Sequence, residues 1–306
     1  MKLAHKQNTD LQFLSSEDGF LGLTGDDAFT PEKAKAWVIP FGLEASVSYG
    51  GGTASGPQAI IEASHQVELF DEVFWAEAFR GYGVATLDNV PHPKKVSEAL
   101  NVLESTVQNV LDQKKFPLIF GGEHSLTAGS IRPFAKAHKQ ITILQFDAHA
   151  DLRDGYDGEH YSHAAAMRRC LDHDNVRLVS VGIRNISAGE IPFLESNKDR
   201  IEIFWAKDKA KWNAQQIAKT VGNGPVYLTF DLDGFDSSLM QATGTPEPGG
   251  LFWDEVMEII ATVSKKASIV GADIVELAPA EGFHACDFLA AKLAYKILSY
   301  ALTGGK

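Results

Sequence analysis

The sequence predicts an α/β fold with a mostly parallel central sheet and helices on both faces. Two observations indicate this class. Short apolar runs alternate with amphipathic runs along most of the 306 residues, which is the order of a strand followed by a helix. Polar side chains also collect directly after several apolar runs, where an open parallel sheet binds its ligands. Such alternation is typical of a parallel sheet that helices cover on both sides.

The alternation begins after an irregular N-terminal segment, residues 1–35. Strands are predicted, in chain order, for AWVIPFG, FPLIFGG, ITILQFDAH, VRLVSVGIR, IEIFWA, VYLTFDLD and ASIVGADIVELAP. Helices are predicted for GPQAIIEASHQVELFDE, HSLTAGSIRPFAKAH, AGEIPFLESN, WNAQQIAKTV, FWDEVMEIIATVSKK and ACDFLAAKLAYKILSYAL. Because no linker rich in proline, glycine and serine divides the chain, we expect residues 1–306 to form one domain.

The composition is that of a globular protein with a sizeable core, at 44% apolar and 22% charged residues. The net charge of -12 would repel nucleic acid and acidic membranes, so neither is an expected partner, whereas a small cationic ligand would be attracted. Cys170 and Cys286 indicate neither a disulfide framework nor a thiolate zinc site. Because no run approaches the roughly 18 apolar residues of a membrane span, and no apolar leader opens the chain, we predict a cytoplasmic protein.

A glycine-rich loop, SYGGGTASGP, occupies residues 48–57. It is not a P-loop, because no Gly-Lys-Ser/Thr follows, and Ser55 interrupts the G-x-G-x-x-G pattern of dinucleotide-binding proteins. Two interpretations remain: a turn beside the active site, or a tight connection between two elements.

Acids and imidazoles follow four of the predicted strands: His124; then Asp147, His149 and Asp151; then Asp231 and Asp233; then Glu276. In LQFDAHADLRD the polar residues occupy every second position, so a strand that continued through them would point all three to the same side. A single aspartate there would be interpreted as a helix cap or turn former. Four aspartates at one sheet edge would raise one another's pKa unless cations compensate them. Two divalent ions would balance their four negative charges.

The type of ligand narrows the choice of metal. Four carboxylates and two imidazoles without a thiolate favour Mn²⁺ over a structural zinc site, while Ni²⁺, Co²⁺ and Zn²⁺ remain open. The segment DLDGFDSS is not an EF-hand loop, because Phe235 stands at its fifth position and its glycine comes too early. The chain also lacks the G-x-S-x-G elbow of serine hydrolases.

Five segments resemble, in the right order, the metal and substrate motifs of the ureohydrolases, the family of arginases and agmatinases: GGEHS, FDAHAD, TFDLDGFD, ATGTPEPGG and IVELAP. The resemblance covers roughly residues 35–300 and is greatest to the agmatinases. It implies a single three-layer α/β/α domain with a binuclear manganese centre. The implied ligands are His124, Asp147, Asp151 and Asp231 for one ion, and Asp147, His149, Asp231 and Asp233 for the other.

The resemblance also implies roles for three residues. Glu276 would bind the substrate's guanidinium, because a planar carboxylate can accept two parallel hydrogen bonds from this planar cation. Asp151 would both ligate metal and help move a proton to the leaving nitrogen. His163, directly before the small residues of SHAAAMRR, would contact substrate and shuttle a proton. His160 is interpreted as a loop residue.

The expected reaction is hydrolysis of a guanidino compound by a hydroxide that bridges the two ions, with release of urea and an amine. Agmatine, which would give putrescine, is favoured because Asp154, Asp157 and Glu159 would repel the carboxylate of arginine. Arginase, guanidinobutyrase, guanidine hydrolase and formimidoylglutamase activities remain open, as does a non-catalytic, metal-binding regulatory protein. By resemblance we expect a homo-oligomer, either a trimer or a hexamer.

The chain departs from the family pattern in the loop after the predicted metal aspartates. Ser237 and Gln241 stand where family members usually have prolines, so we expect this loop to be less rigid. Ala278 replaces a common asparagine. None of the predicted metal ligands is lost.

Overall fold

The computed structural model describes residues 11–304. Its strands are β1 (Ala36–Phe41), β2 (Phe70–Asp71), β3 (Ala76–Glu77), β4 (Val84–Thr86), β5 (Phe116–Gly121), β6 (Ile141–Phe146), β7 (Val176–Val181), β8 (Ile201–Phe204), β9 (Pro225–Asp231) and β10 (Ser268–Val275). Its helices are α1 (Gly56–Ser64), α2 (Phe79–Tyr82), α3 (Val96–Asp112), α4 (Thr127–Ala137), α5 (Ala166–Cys170), α6 (Ile191–Ser196), α7 (Ala214–Val221), α8 (Trp253–Ser264) and α9 (His284–Thr303).

Eight of the strands form one parallel sheet in the order β4-β1-β5-β10-β9-β6-β7-β8, while β2 and β3 form a separate antiparallel hairpin. Strands β5 and β6 are mostly apolar and buried along their whole length, as expected for strands with both faces covered. Parallel pairing brings the carboxyl ends of β5, β6, β9 and β10 to one edge of the sheet.

Two apolar clusters occupy the two faces of the sheet. Neighbouring residues of a strand belong to different clusters: Leu118 is in the cluster that includes α1, α7, α8 and α9, whereas Ile119 is in the cluster that includes α3, α4 and α5. This alternation follows from the two-residue period of a strand. The structure therefore confirms the predicted α/β architecture, with the sheet as the middle of three layers.

Every predicted strand is present, but the predictions missed several elements. Helix α3 was not predicted, although its buried residues Ala99, Leu103, Val107 and Val110 have helical spacing. Helix α1 is shorter than expected, since it ends at Ser64. The segment after it contacts α9 instead: the carbonyl oxygens of residues 68 and 69 accept hydrogen bonds from α9 side chains. A tertiary contact here outweighs the local helical pattern.

The irregular N-terminal segment contains, within residues 11–35, a short 3-10 helix at Gly25–Asp27 and a bridge between Phe13 and Leu87. Residues 1–10 of that predicted segment lie outside the described part, as do residues 305–306. The single-domain prediction for residues 1–306 therefore stays a prediction. Among the described helices, none combines the length and apolar character needed to cross a membrane.

Candidate metal centre and catalytic site

A cavity of about 370 Å³ opens at the carboxyl edge of the sheet. Its wall includes most of the predicted site residues: His124, His149, Asp151, His163, Asp231, Asp233 and Glu276. Asp147 is fully buried, within contact distance of His124 and close to His149. The six predicted metal ligands thus lie together, and we refer to them below as the carboxylate–imidazole cluster.

Three carboxylates surround one ring nitrogen of His124. Its Nδ1 lies 3.1 Å from Asp147 Oδ2, 3.1 Å from Asp151 Oδ2 and 3.3 Å from Asp231 Oδ2. Within residues 11–304 this buried nitrogen makes no hydrogen bond of acceptable geometry. An octahedral ion bound at about 2.1 Å separates neighbouring ligand atoms by about 3.0 Å, which is close to these spacings. His124, Asp147 and Asp231 therefore form a group that could hold one metal ion, and Asp151 adjoins it through His124.

A second group adjoins the first and shares Asp147 with it. His149 Nδ1 lies 3.0 Å from Asp233 Oδ2 and 3.8 Å from Asp147 Oδ1. Asp147 thus presents one oxygen to each imidazole, as a bridging ligand would. For Asp231 the contacts show only the first group, together with a 2.9 Å hydrogen bond from Asp233 N to its Oδ1. Two groups that could each hold an ion, sharing one carboxylate, fit a binuclear centre.

The backbone around the cluster differs from the prediction. Strand β6 ends at Phe146, so Asp147, His149 and Asp151 do not lie on a continuing strand, and the argument from strand alternation was wrong. Asp151 instead has a left-handed φ of 53°, and Glu276, directly after β10, has a φ of 67°. Such values are uncommon for residues other than glycine and mark functional sites when the surroundings enforce them.

The electrostatics of the cluster show an excess of negative charge. Burial, and then the charges of Asp151 and Asp233, raise the pKa of Asp147 to about 7. Burial with Asp233 and Asp147 likewise raises the pKa of Asp231 well above its usual range. Divalent cations would relieve this repulsion.

In the pair of His149 and Asp233, the pKa shifts favour the charged forms of both side chains. Burial opposes ionisation of both groups, but the hydrogen bond between them outweighs it. The pKa of Asp233 falls to about 2 and that of His149 rises to about 11. A metal ion would take the place of the imidazole proton between these two side chains.

Buried residues beneath the cluster orient His124. Its Nε2 lies 2.9 Å from Thr229 Oγ1, which donates its single proton to Asp273 Oδ1 at 2.6 Å. The Thr229 oxygen must therefore accept from His124, so Nε2 carries a proton and Nδ1 faces the carboxylates. Asp273 also accepts hydrogen bonds from Thr127 and Tyr227. This chain keeps Nδ1 available as a ligand, a common arrangement around metal-binding histidines.

Glu276 lies beside the cluster, and its Oε1 accepts a 2.6 Å hydrogen bond from His124 N. Burial raises the pKa of Glu276 to about 8, and the negative charge of Glu123 adds to this rise. A cation bound against this carboxylate would compensate its negative charge and favour its ionised form.

The two candidate shuttle histidines are in different places. His163 starts a short 3-10 helix, His163–Ala165, and lines the cavity; Ser162 caps this helix through its side chain. His160 lies away from the cavity wall and against Arg169, whose Nη1 is 2.6 Å from His160 Nδ1. This placement agrees with the interpretation of His160 as a loop residue.

The predicted acidic segment does not face the cavity. None of Asp154, Asp157 and Glu159 belongs to its wall, and the Asp154 side chain is 76% exposed and paired with Arg169. An arginine pairs with one of these acids and none reaches the wall, so the prediction that they select the substrate stays a prediction. Arg153, Tyr156 and the buried Glu190 line the cavity instead.

Hydrogen bonds restrain the loop that lacks the two prolines. Asp236 accepts four of them, from Ser238 N at 3.0 Å, Ser238 Oγ at 2.6 Å, Gly249 N at 2.7 Å and Gly250 N at 3.0 Å. Arg184 Nη2 donates to the carbonyl oxygens of Asp233, Phe235 and Glu247. The side chains of Asp236 and Arg184 therefore restrain the loop in which Ser237 and Gln241 stand in place of prolines.

Sequence reasoning missed several residues of the site. The glycine-rich loop lies beside it, since its residues 48–50 line the cavity, which supports the first of its two interpretations. The serines in this loop carried no recognisable signal. Glu123 stands next to His124 in GGEHS but was given no role. Asp273 did carry a signal, because an acid in the buried part of an apolar strand needs partners.

Comparison with known proteins places the chain in a family. The profile of the arginase family matches residues 34–299. An N(1)-aminopropylagmatine ureohydrolase from Synechocystis sp. is 35% identical over 273 residues, covering 86% of this chain and 88% of that protein. A guanidinobutyrase from Pseudomonas aeruginosa is 31% identical over 247 residues, covering 78% and 76%.

Comparison with a solved structure also indicates a ureohydrolase. The agmatine ureohydrolase of Thermoplasma volcanium superposes with a TM-score of 0.80 at 30% identity, covering 90% of this chain and 93% of that one. The predicted resemblance to the ureohydrolases is thereby confirmed. The chain belongs to the arginase family of ureohydrolases.

Proposed function

We propose that the protein hydrolyses agmatine to putrescine and urea with two Mn²⁺ ions. The observation that carries this proposal is the pair of adjoining ligand groups that share Asp147, beside the buried carboxylate of Glu276. One part of the site can thus activate water, and the other can hold a guanidinium.

The six residues of the carboxylate–imidazole cluster would hold the ions, His124 and Asp151 on one side and His149 and Asp233 on the other. Asp147 and Asp231 would bridge. When bound, two such ions lower the pKa of a shared water towards neutrality and so supply a nucleophile. Oxygen-rich ligation without thiolates favours manganese.

Glu276 would bind and orient the substrate. A guanidinium offers parallel N–H groups that match a carboxylate, and such charge-assisted pairs are stronger than neutral hydrogen bonds. His124 N already holds Oε1 at 2.6 Å, so the carboxylate has a fixed position in the wall. This would present the guanidinium carbon to the nucleophile in one orientation.

Asp151 and His163 would move the protons that the reaction requires. The leaving amine needs a proton, and Asp151 lies within the cluster at the wall of the cavity. His163 lines the same cavity and is partly exposed, so it can exchange protons with solvent. A positioned acid or base of this kind contributes roughly 10²-fold to 10⁴-fold to the rate.

The cationic tail of the substrate would meet Glu190. This buried carboxylate lines the cavity and accepts hydrogen bonds from neutral donors of Leu152 and Ser187. An ammonium group would add the positive charge that these neutral donors cannot supply. Support for a polyamine-like substrate therefore comes from Glu190, not from the acidic segment 154–159.

N(1)-aminopropylagmatine is a second candidate substrate. It carries a longer, more cationic tail than agmatine, and a 35% identical relative is named for it. The cavity of about 370 Å³ is open to solvent beside Tyr49, which is 86% exposed, so a longer tail could extend past the wall.

Urea release from a panel of guanidino compounds tests the proposal. The manganese-loaded protein should show its highest kcat/KM with agmatine or N(1)-aminopropylagmatine, and Glu276→Gln should remove most of this activity. A higher kcat/KM with arginine or 4-guanidinobutyrate would overturn the proposal that the substrate has a cationic tail. If two ions are bound per chain and no compound releases urea, the proposal that the protein hydrolyses guanidino compounds would be overturned. The expected trimer or hexamer can be measured on the same sample by sedimentation.

A further inference from the structure

We propose that Glu123 and Ser46 are positioning residues that hold His163 as its Nδ1–H tautomer, with Nε2 as the ring atom that exchanges protons. The catalytic consequence rests on the proposed function of His163, whereas the tautomer does not. The argument uses the hydrogen bonds of residues 45–48, where the chain enters the glycine-rich loop, with Glu123 and His163.

Glu123 anchors the segment that leads into this loop. The carboxylate is fully buried, and its Oε2 accepts 2.6 Å hydrogen bonds from the backbone N–H groups of Ala45 and Ser46. Its Oε1 accepts from Ser46 Oγ at 2.8 Å and from Ser125 Oγ at 2.6 Å. Four neutral donors therefore fix the carboxylate, and through it the backbone and side chain of Ser46.

The Ser46 hydroxyl then determines which nitrogen of His163 carries a proton. A hydroxyl has one proton, and Ser46 donates it to Glu123. Its oxygen can therefore only accept from His163, whose backbone N lies at 3.0 Å and whose Nδ1 lies at 3.2 Å. The ring therefore supplies the hydrogen of this contact at Nδ1, which leaves Nε2 unprotonated in the neutral imidazole. Ser162 Oγ is the more distant hydroxyl beside Nδ1, at 3.4 Å, and accepts a hydrogen bond from Ala164 N.

Ser48 contacts the other ring nitrogen, with its Oγ 3.3 Å from Nε2. In contrast to Ser46, this hydroxyl is exposed, and no acid holds its proton within the described residues. It can donate to Nε2 in the neutral ring and accept from it in the cation. The two serines thus differ in function: Ser46 fixes the tautomer, and Ser48 permits Nε2 to gain and lose a proton.

The tautomer can be measured directly by ¹⁵N NMR of histidine-labelled, metal-free protein, with His163→Gln used to assign the His163 signals. At a pH where the ring is neutral, we expect a protonated Nδ1 and an unprotonated Nε2. Ser46→Ala should give a mixture of tautomers, while the matched variant Ser48→Ala should keep the Nδ1–H form. An Nε2–H tautomer in the unmodified protein, or no change in Ser46→Ala, would overturn the proposal.

Kinetics supply the second measurement. In the manganese-loaded enzyme, Ser46→Ala should lower kcat by roughly 10-fold with little change in KM or metal content, because the ring is present but less well oriented. Ser46→Thr, which keeps the hydroxyl, should restore part of the rate. An equal loss in Ser46→Thr and Ser46→Ala would overturn the positioning role. Full activity in His163→Gln would instead overturn the proposed function of His163, and the NMR result would still decide the tautomer.

Discussion

The carboxylate–imidazole cluster and the exposed rim of the same cavity are built differently. In the cluster, five of the six side chains are buried, and each is held by hydrogen bonds or close contacts to its neighbours. The rim, defined as Ser48, Tyr49, Arg153 and Tyr156, is exposed or half-exposed. Under the proposed function, bond cleavage would depend on the buried cluster, and the rim would adjust which substrates reach it.

The largest expected effect comes from removing a shared ligand. Asp147→Ala or Asp231→Ala should lose at least one ion per chain and nearly all urea release, because each variant removes a carboxylate that the two proposed ions would share. Elemental analysis and steady-state kinetics measure both. The control is Asp157→Asn in the exposed segment, which should keep both ions and normal turnover. Two tightly bound ions with full activity in Asp147→Ala would contradict the assignment.

The next effect distinguishes the two candidate shuttle histidines, His163 and His160. His163→Ala should lower kcat by roughly 10²-fold to 10⁴-fold and retain metal, as expected for loss of a general acid. His160→Ala should be mild, because that ring packs on Arg169 away from the cavity. The reverse order of the two effects would transfer the shuttle role to His160.

An intermediate effect tests the support beneath the cluster. Thr229→Val removes the acceptor for His124 Nε2 while nearly conserving side-chain volume. Loss of such an outer contact typically weakens metal affinity by 10-fold to 100-fold. Titration of the metal-free protein with Mn²⁺ measures this change. Unchanged affinity would show that His124 needs no help from Thr229 and Asp273.

The fourth prediction concerns the loop after Asp233. Hydrogen bonds, first that of the Ser238 side chain, lower the pKa of Asp236 to about 2, below the value near 3.9 of an unfolded aspartate. The stabilisation is therefore fully present above about pH 4 and disappears as pH falls towards 2. Asp236→Asn should lower the free energy of unfolding by about 1 kcal/mol at pH 7. Denaturant unfolding at pH 7 and near pH 2 should show the deficit only at the higher pH.

The smallest effect belongs to the rim. The Arg153 guanidinium stacks on Tyr156, 4.8 Å from its ring centroid, and its positive charge opposes a cationic tail. Arg153→Gln should lower KM for agmatine by roughly 2-fold to 3-fold with kcat unchanged, since rim charges act mainly on encounter. The change should shrink as ionic strength rises. A large fall in kcat would place Arg153 in the chemistry and break the distinction between rim and cluster.

The same distinction explains what the sequence could predict. The cluster was predictable because its residues follow strand ends in separate motifs, and parallel strands bring those ends to one edge. Even there, the left-handed backbone at Asp151 replaces the expected strand. The rim was not predictable, because it is made by loops. In the residues beside the rim, Asp154 pairs with Arg169, and Ser46 bonds Glu123, 77 residues away, through contacts that no local pattern indicates.

The metal content of the active protein tests the central claim most directly. We predict that the purified protein, titrated with Mn²⁺ while urea release from agmatine is followed, reaches full activity at two ions per chain. Full activity with one ion per chain, or with none, would contradict a binuclear centre built around Asp147.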